Sequence, residues 1–441
     1  MKNFTQPLKQ KFETLARDLF AQLQKGEDLQ LNLRAEKSTF LRFNQNKVRQ
    51  NTDVEQVGIS LTLQKNGKTV GYSYYLGEED LASECLQKMR AEADVLPVDP
   101  NQVPIQNHGS SESENAGKIP SSAELIEAVV KVAEGSDLAG LFSGGVIVIA
   151  NKNSHGQSHW FATETFSLDY SLYNGPKAAK SVYGGTEWNF HEWKKNFTRT
   201  REQLELLEKP QVAVKPGKYR TYLAPGAVGE LFGIMSWGAV SARAWKQGQS
   251  PFKKFAEKEI SLSPKFSLRE NFGLGFCPKF NSLGEVAPDT LAVVTEGKLE
   301  NLLTSSRTAK EFGLKANGAD GGEGLRSPEI LPGSLKEEAI LQELGTGLYL
   351  SNLHYLNWSD PDSARVTGMT RYACFWVENG KIQGPIKDLR FDVSLYDIFG
   401  KDLLSLTEKA EVDPETSTYE QRAVGGKKMP GALIEGFTFT L

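Results

Sequence analysis

The chain has 441 residues, with 51 Lys and Arg against 55 Asp and Glu and a formal net charge of −4. That length exceeds what one ordinary core organises and points to two or three packed units. The near-balanced charge argues against nucleic acid or an anionic membrane as partner, since either would require a concentrated basic face, and no run of about 18 apolar residues marks a membrane span. The three cysteines, Cys85, Cys277 and Cys374, are widely spaced and form no CxxC pair. This sparse, odd set gives no disulfide framework and fits a reducing compartment. Met1 to Lys25 is polar and mixed in charge, unlike a signal peptide, so the expected location is cytoplasmic.

Leu8, Phe12, Leu15, Leu19 and Leu23 recur at helical spacing before Gly26, which predicts an amphipathic helix. Four strands are predicted next, LQLNLRAEK, TFLRFNQNKVRQ, VGISLTLQ and TVGYSYYL, with a hairpin turn at Asn66-Gly67. A helix from about Glu79 to Ala93 follows. The run from 96 to 120 is rich in Pro, Ser, Asn and Gly and reads as a linker or surface loop, with His108 in solvent. Ser121 and Glu124 fit a capping box that opens a helix. Strands are then predicted at Gly145–Ala150, Ser158–Tyr173 and Ser181–Phe190, and a helix from Thr200 to Glu208 that Pro210 ends.

Beyond residue 210 the pattern predicts a strand at Tyr219–Leu223 and a helical segment from Gly226 to Trp245. Strands at Thr290–Val294, Gly347–Ser351, Met369–Val377, Lys381–Ile386 and Ala432–Leu441 follow, with hairpin turns at Glu296-Gly297 and Asn379-Gly380. The expected class is α+β, with N-terminal α/β units built on antiparallel sheets and a larger β-rich C-terminal domain. The expected divisions are 1–95, a linker or loop at 96–120, a middle domain at 121–210 and a C-terminal domain at 211–441.

The chemistry-bearing residues form few constellations. His155 and His159 have the histidine spacing of an HExxH zinc peptidase, but the glutamate is missing and Gly156 places the pair in a turn. His191-Glu192 starts the same motif, but Lys195 stands where the second histidine belongs. Gly321-Gly322-Glu323-Gly324 lacks the strand-to-helix setting of a nucleotide loop and reads as a flexible loop. Cys374, in an apolar strand, reads as core.

The segments TYLAPGAVGELFG and PKFNSLGEVAPDTLAVVTEGKLENLLTSSRTAKEFGLKANG resemble the C-terminal domain of the TldD/PmbA family of metallopeptidase-related proteins. LGTGLYLSN, RYACFWVENGKIQGPI and MPGALIEGFTF follow in the family's order. FLRFNQNKVRQNTDVEQVGISLTLQKNGKTVGYSY resembles its first domain and VIVIANKNSHGQSHWFATETFSLDYS its second, so the resemblance covers nearly the whole chain. Each motif alone is loose; their order carries the match.

The proteolytic branch of that family has an HExxxH metal motif at the start of the apolar helix. Aligned through the shared Ala-Val-Gly, its first histidine falls on Pro225, its glutamate on Gly226 and its second histidine on Glu230. Glu230 itself reads as an ordinary solvated or capped helix carboxylate. The branch's late cysteine has no counterpart in Thr418–Met429. The resemblance therefore implies a TldE/PmbA-like member with no catalytic or metal residue of its own, no cofactor and an unknown binding surface. Its implied partners are a TldD-like subunit or a second copy of itself, together with unfolded peptide. Two alternatives stand beside this reading: an active peptidase with a non-standard site drawn from Glu230, His354, Asp360 or Asp362, and a stand-alone homodimeric peptide-binding protein. Trp237, Trp245 and Trp358 are candidate interface aromatics.

Overall fold

In the computed structural model, which describes residues 1–77 and 81–440, α1 (Lys2–Phe20) buries Leu8, Phe12, Leu15 and Leu19, the stripe that the spacing predicts. The next two expected strands merge into one. β1 (Glu27–Asn44) runs unbroken, and the reversal into β2 (Lys47–Lys65) falls at Gln45 and Asn46, with φ of +54° and +51°. The reason is local: Ala35 to Thr39 contains no Gly, Asn or Asp, the residues that most readily take positive φ, whereas Asn44 to Asn46 holds two asparagines. Asn66 and Gly67, at φ +54° and +76°, turn the chain into β3 (Lys68–Tyr75) as expected. α2 (Ala82–Val95) follows; the expected start at Glu79 lies outside the described residues.

Within the predicted linker, β4 (Ser110–Asn115) pairs in parallel with a later strand, and Ile105 is buried with its N–H on Gln64. The strand SSESEN is polar throughout, so it has no apolar alternation by which a strand is recognised. α3 (Ser122–Val132) opens on the capping box: Ser121 Oγ accepts the Glu124 N–H, and the Glu124 carboxylate accepts the Ser121 N–H at 2.9 Å. Ser121→Ala is expected to cost about 1 kcal/mol in urea unfolding, the usual worth of such a cap.

β5 (Asp137–Asn153) and β6 (Ser158–Asn174) form a long antiparallel pair, extended by β7 (Lys177–Gly185). The strand expected to reach Phe190 ends earlier, and the helix expected from Thr200 begins earlier. α4 (Phe190–Leu206) starts where the Asn189 side chain accepts the N–H groups of His191 and Glu192. Its first half buries only Trp193 and Phe197 among charged and polar residues, which gives little apolar periodicity to read.

These strands form one sheet in the order β3-β2-β1-β5-β6-β4, with β7 on β6, so segments 1–95 and 121–210 contribute to the same sheet. One face is apolar. Leu29, Leu31, Leu33, Val146 and Val148 pack with α1 and α2, and Leu41, Phe43, Leu138, Phe166 and Leu168 pack with α3 and α4. The opposite face is largely polar, with Ile147, Ile149 and Phe161 among its apolar members, and part of it meets the C-terminal half: Gln30 and Asn151 donate to the Ser282 carbonyl at 2.6 and 3.0 Å, and Thr163 to the Gly275 carbonyl at 2.9 Å.

The C-terminal half starts with β8 (Gly217–Leu223) and α5 (Pro225–Met235). The helix expected to run on to Trp245 breaks after α5. Gly238 takes φ +89°, and Ser241 caps a separate short helix, α6 (Ala242–Lys246). Then come α7 (Lys253–Ala256), β9 (Leu268–Asn271), β10 (Thr290–Thr295), β11 (Lys298–Leu299), α8 (Ser306–Phe312), β12 (Pro328–Ile330) and α9 (Ile340–Leu344). β13 (Gly347–Asp360), β14 (Arg365–Glu378), β15 (Lys381–Pro385), β16 (Arg390–Ser394), β17 (Leu403–Pro414) and β18 (Gly426–Phe439) complete the chain. The expected turns hold, with Glu296-Gly297 at φ +46° and +76° and Asn379-Gly380 at +51° and +73°.

β8 pairs in parallel with β13 and antiparallel with β18, while β13, β14, β16 and β18 pair in sequence, so five strands close into a ring. α5 packs on β13 and β18 and shares one core with Leu348, Leu350, Phe391, Phe399, Ala432 and Ile434. Strand exceeds helix, and the C-terminal sheet is the larger of the two, which is the expected α+β class. No helix among the described residues is long and apolar enough to cross a membrane.

Candidate functional site

Leu223 ends β8 and Pro225 opens α5 at its first helical position, where the missing N–H costs nothing. The helix PGAVGELFGIM buries Ala227, Val228, Leu231, Phe232, Ile234 and Met235, apolar on nearly all sides, which places it inside the core. Glu230 is its one ionisable residue. The glycines of α5 admit neighbours closely: a Cβ on Gly226 would stand 3.3 Å from Asn352 Nδ2, and one on Gly229 would meet Cε of Lys427 at 2.5 Å. The Lys427 side chain therefore lies across the helix.

Glu230 is half-buried and engaged across to β13, where the expectation was an ordinary solvated or capped helix carboxylate. Its carboxylate accepts the backbone N–H of Leu353 in β13. Burial pushes its pKa up to about 7, with Asp413 adding to the rise, while the Leu353 N–H, Lys427 and Lys180 pull the other way. Two ion pairs flank it, Lys427 with Asp413 at 2.8 Å and Lys180 with Asp169 at 2.9 Å. Burial acts to lower the Lys427 pKa, but Asp413, Glu415 and Glu230 outweigh it and hold the ammonium charged. The signal missed in the sequence was that a lone carboxylate on an otherwise apolar helix is carried partly out of water with that helix.

The three positions that match the family's metal motif do not fit a metal. Pro225 and Gly226 have no ligand atoms, and one Glu230 oxygen is engaged by a backbone N–H. Catalytic zinc takes about three protein ligands, and the neighbouring carboxylates of Asp413 and Asp169 are each paired with a lysine ammonium. Among the described residues, no group of three or more His, Cys, Asp or Glu stands together as a metal site.

The other histidines are engaged separately. His155 pairs with Asp28 at 2.8 Å in the β5–β6 turn; His159 is buried, bonded through Nδ1 to Ser111 Oγ at 2.8 Å and stacked on Phe280. His191 lies in the exposed first turn of α4. His354 lies exposed on β13 with its ring tilted against Tyr355, and Asp360, half-buried, and Asp362, exposed, lie at the strand's far end, so the structure does not gather them round Glu230. His108 is half-buried rather than solvated, with its N–H on Gln157.

Cys277 and Cys374 are buried and their thiols are pushed up to about 12 and about 11 by burial, which makes them poor nucleophiles. The glycine-rich loop is not loose. Glu323 is fully buried and its carboxylate accepts from Ser241 Oγ at 2.6 Å, the Arg243 N–H at 2.8 Å and Ser305 Oγ at 2.8 Å, tying α6 to α8. Burial alone would raise its pKa, but these donors outweigh it and hold the carboxyl below its usual range. Of the three tryptophans, Trp237 is exposed, while Trp245 and Trp358 are half-buried.

A mainly antiparallel sheet layered with helices, joined to a second sheet whose strand ring carries an apolar helix on β13 and β18, defines a two-sheet α+β scaffold. Residues 216–441 match the PmbA/TldA metallopeptidase C-terminal domain. The fold is similar to TldE from Thermococcus kodakarensis, with a TM-score of 0.76 at 14% identity, covering 98% of this chain and 100% of that one. It is also similar to a Thermotoga maritima protein described as a candidate modulator of a DNA gyrase, with a TM-score of 0.79 at 18% identity, covering 97% of this chain and 100% of that one. In sequence it is 29% identical over 185 residues to the metalloprotease PmbA of Escherichia coli O157:H7, covering 42% of this chain and 39% of that protein. The chain belongs to the TldD/PmbA family.

Proposed function

We propose that this chain is a non-catalytic, TldE/PmbA-like subunit that completes a peptidase with a TldD-like partner and helps hold unfolded peptide. One observation supports this above the rest: the positions matching the family's metal motif hold Pro225, Gly226 and a Glu230 committed to the Leu353 N–H beside the Lys427 ammonium. Such a site neither binds a metal nor activates water. The likeness to TldE from Thermococcus kodakarensis supports the same branch. Backbone pairing with an extended segment is the mode by which such a subunit would take peptides of many sequences.

Co-expression with a TldD-like subunit tests this, with assembly read by light scattering on a sizing column. The expected result is a mixed complex that cleaves unfolded peptide while this chain alone does not. A chain that forms only homodimers in the presence of that subunit would contradict the subunit role.

A further inference from the structure

Residues 415–425 connect β17 to β18 and cross the polar face of the N-terminal sheet. Within this strap Arg422 is the one buried residue, 5% exposed, while Tyr419 is 85% exposed. Polar contacts hold the strap around Arg422, while Val424 at its C-terminal end packs against Phe272, Cys277 and Ala287. Arg34 donates to the Arg422 carbonyl at 2.7 Å, Gln56 to the Glu420 carbonyl at 2.9 Å, and the Arg422 N–H reaches the Glu36 carboxylate at 3.3 Å.

The Arg422 guanidinium enters the sheet and finds a formed seat. Nη2 donates to the Thr165 carbonyl and to Thr165 Oγ1, both at 2.7 Å, and Nη1 to the Gly145 carbonyl at 3.2 Å and Ser38 Oγ at 3.3 Å. Ser38 Oγ in turn donates to Glu36 at 2.8 Å. Gly145 has φ +141°, and a Cβ there would meet the Lys37 carbonyl at 2.2 Å, so only glycine lets β1 and β5 approach at this point. Burial lowers the guanidinium pKa and Glu36 raises it, so the buried cation relies chiefly on neutral acceptors.

The strap also divides space. On one side a cavity of about 970 Å³ lies over Phe40, Arg42, Thr52 and Leu141; on the other, one of about 950 Å³ lies between Arg34, Ser73, Tyr75 and the Phe232–Ser236 end of α5. Gln421 lines both. The strap's C-terminal end runs into Lys427, beside Glu230.

We propose that Ser38, Gly145 and Thr165 form a guanidinium-binding pocket, which Arg422 fills in cis as the pin of a latch between the two cavities, and which takes an arginine side chain of an extended polypeptide when the strap is released. The polypeptide source rests on the peptide-handling reading; the guanidinium pocket does not.

The test is hydrogen exchange on the full chain carrying Arg422→Ala, with n-propylguanidinium or n-propylammonium added at equal ionic strength. Amides of 416–424 are expected to exchange at least about tenfold faster than in the wild type, with β5 and β6 unchanged, because those amides lose their one buried anchor. Propylguanidinium should slow them again and propylammonium should not. Thr165→Val, which removes one acceptor of the seat, should raise the propylguanidinium needed several-fold. Unchanged strap exchange in Arg422→Ala, or equal action of the two additives, would overturn the pocket. If Arg422→Ala does not fold, Arg422→Lys serves: intermediate strap exchange supports the seat, and wild-type exchange overturns it. An arginine-containing unfolded peptide should bind Arg422→Ala at least about tenfold more tightly than the wild type, since the competitor in cis is gone. Equal affinity would overturn the polypeptide as the ligand's source while leaving the subunit reading to its own co-expression test.

Discussion

Glu230→Gln is expected to stabilise the protein by about 2 kcal/mol at about pH 8 and to flatten its stability profile between roughly pH 4.5 and 7. The folded carboxyl is raised to about 7 from an ordinary 4.5, chiefly by burial. Across that window the folded state therefore binds more protons than the unfolded state. Stability falls as pH rises through it, and the full penalty is present above it. Glutamine keeps an acceptor for the Leu353 N–H and removes the buried charge. Lys427 and Asp413 re-equilibrate with the change, so the expected gain is set below what the whole shift would give. Urea titrations of the wild type and Glu230→Gln at both ends of the window check this. Parallel profiles for the two proteins would show that Glu230 titrates as an exposed carboxylate does.

Trp193→Ala should cost about 3–5 kcal/mol, the usual range for emptying a large aromatic site. Trp193 is fully buried and packs against Tyr170 at 5.2 Å, Phe197 at 5.7 Å, and Trp188 and Tyr183 at 5.9 Å. Its Nε1 donates to the Ala128 carbonyl at 3.2 Å and so ties α4 to α3. Losing it removes the common neighbour of four rings and leaves a carbonyl without its donor. Chemical unfolding should show the loss, and exchange should quicken first in α3 and α4. A cost below about 1 kcal/mol would mean that this layer adds little to the sheet.

Much of the fold was legible in the sequence because its signals are local. Asn66-Gly67, Glu296-Gly297 and Asn379-Gly380 mark turns through backbone conformations that few residues adopt, and Ser121 with Glu124 marks a helix start through its own hydrogen bonds. What stayed hidden depends on distant partners. β4 has no apolar face and exists because β6 offers it a ladder. Glu323 looked like part of a loose glycine loop because its donors, at Ser241 and Ser305, are remote in the chain.

The candidate site divides in the same way. Pro225 and Gly226 reveal their lack of ligand atoms by residue type alone. The environment of Glu230 was not visible, since Leu353, Asp413 and Lys427 arrive from β13, β17 and β18. Arg422 gave no signal at all: its seat is built from residues on β1, β5 and β6, far earlier in the chain.

The measurement closest to the central claim is the metal content of the purified chain, by mass spectrometry after dialysis against zinc, paired with an unfolded-peptide cleavage assay on the same sample. Substoichiometric zinc and no cleavage are predicted, with cleavage arising only when a TldD-like subunit is added. Stoichiometric zinc, lost together with cleavage in Glu230→Gln, would contradict the account.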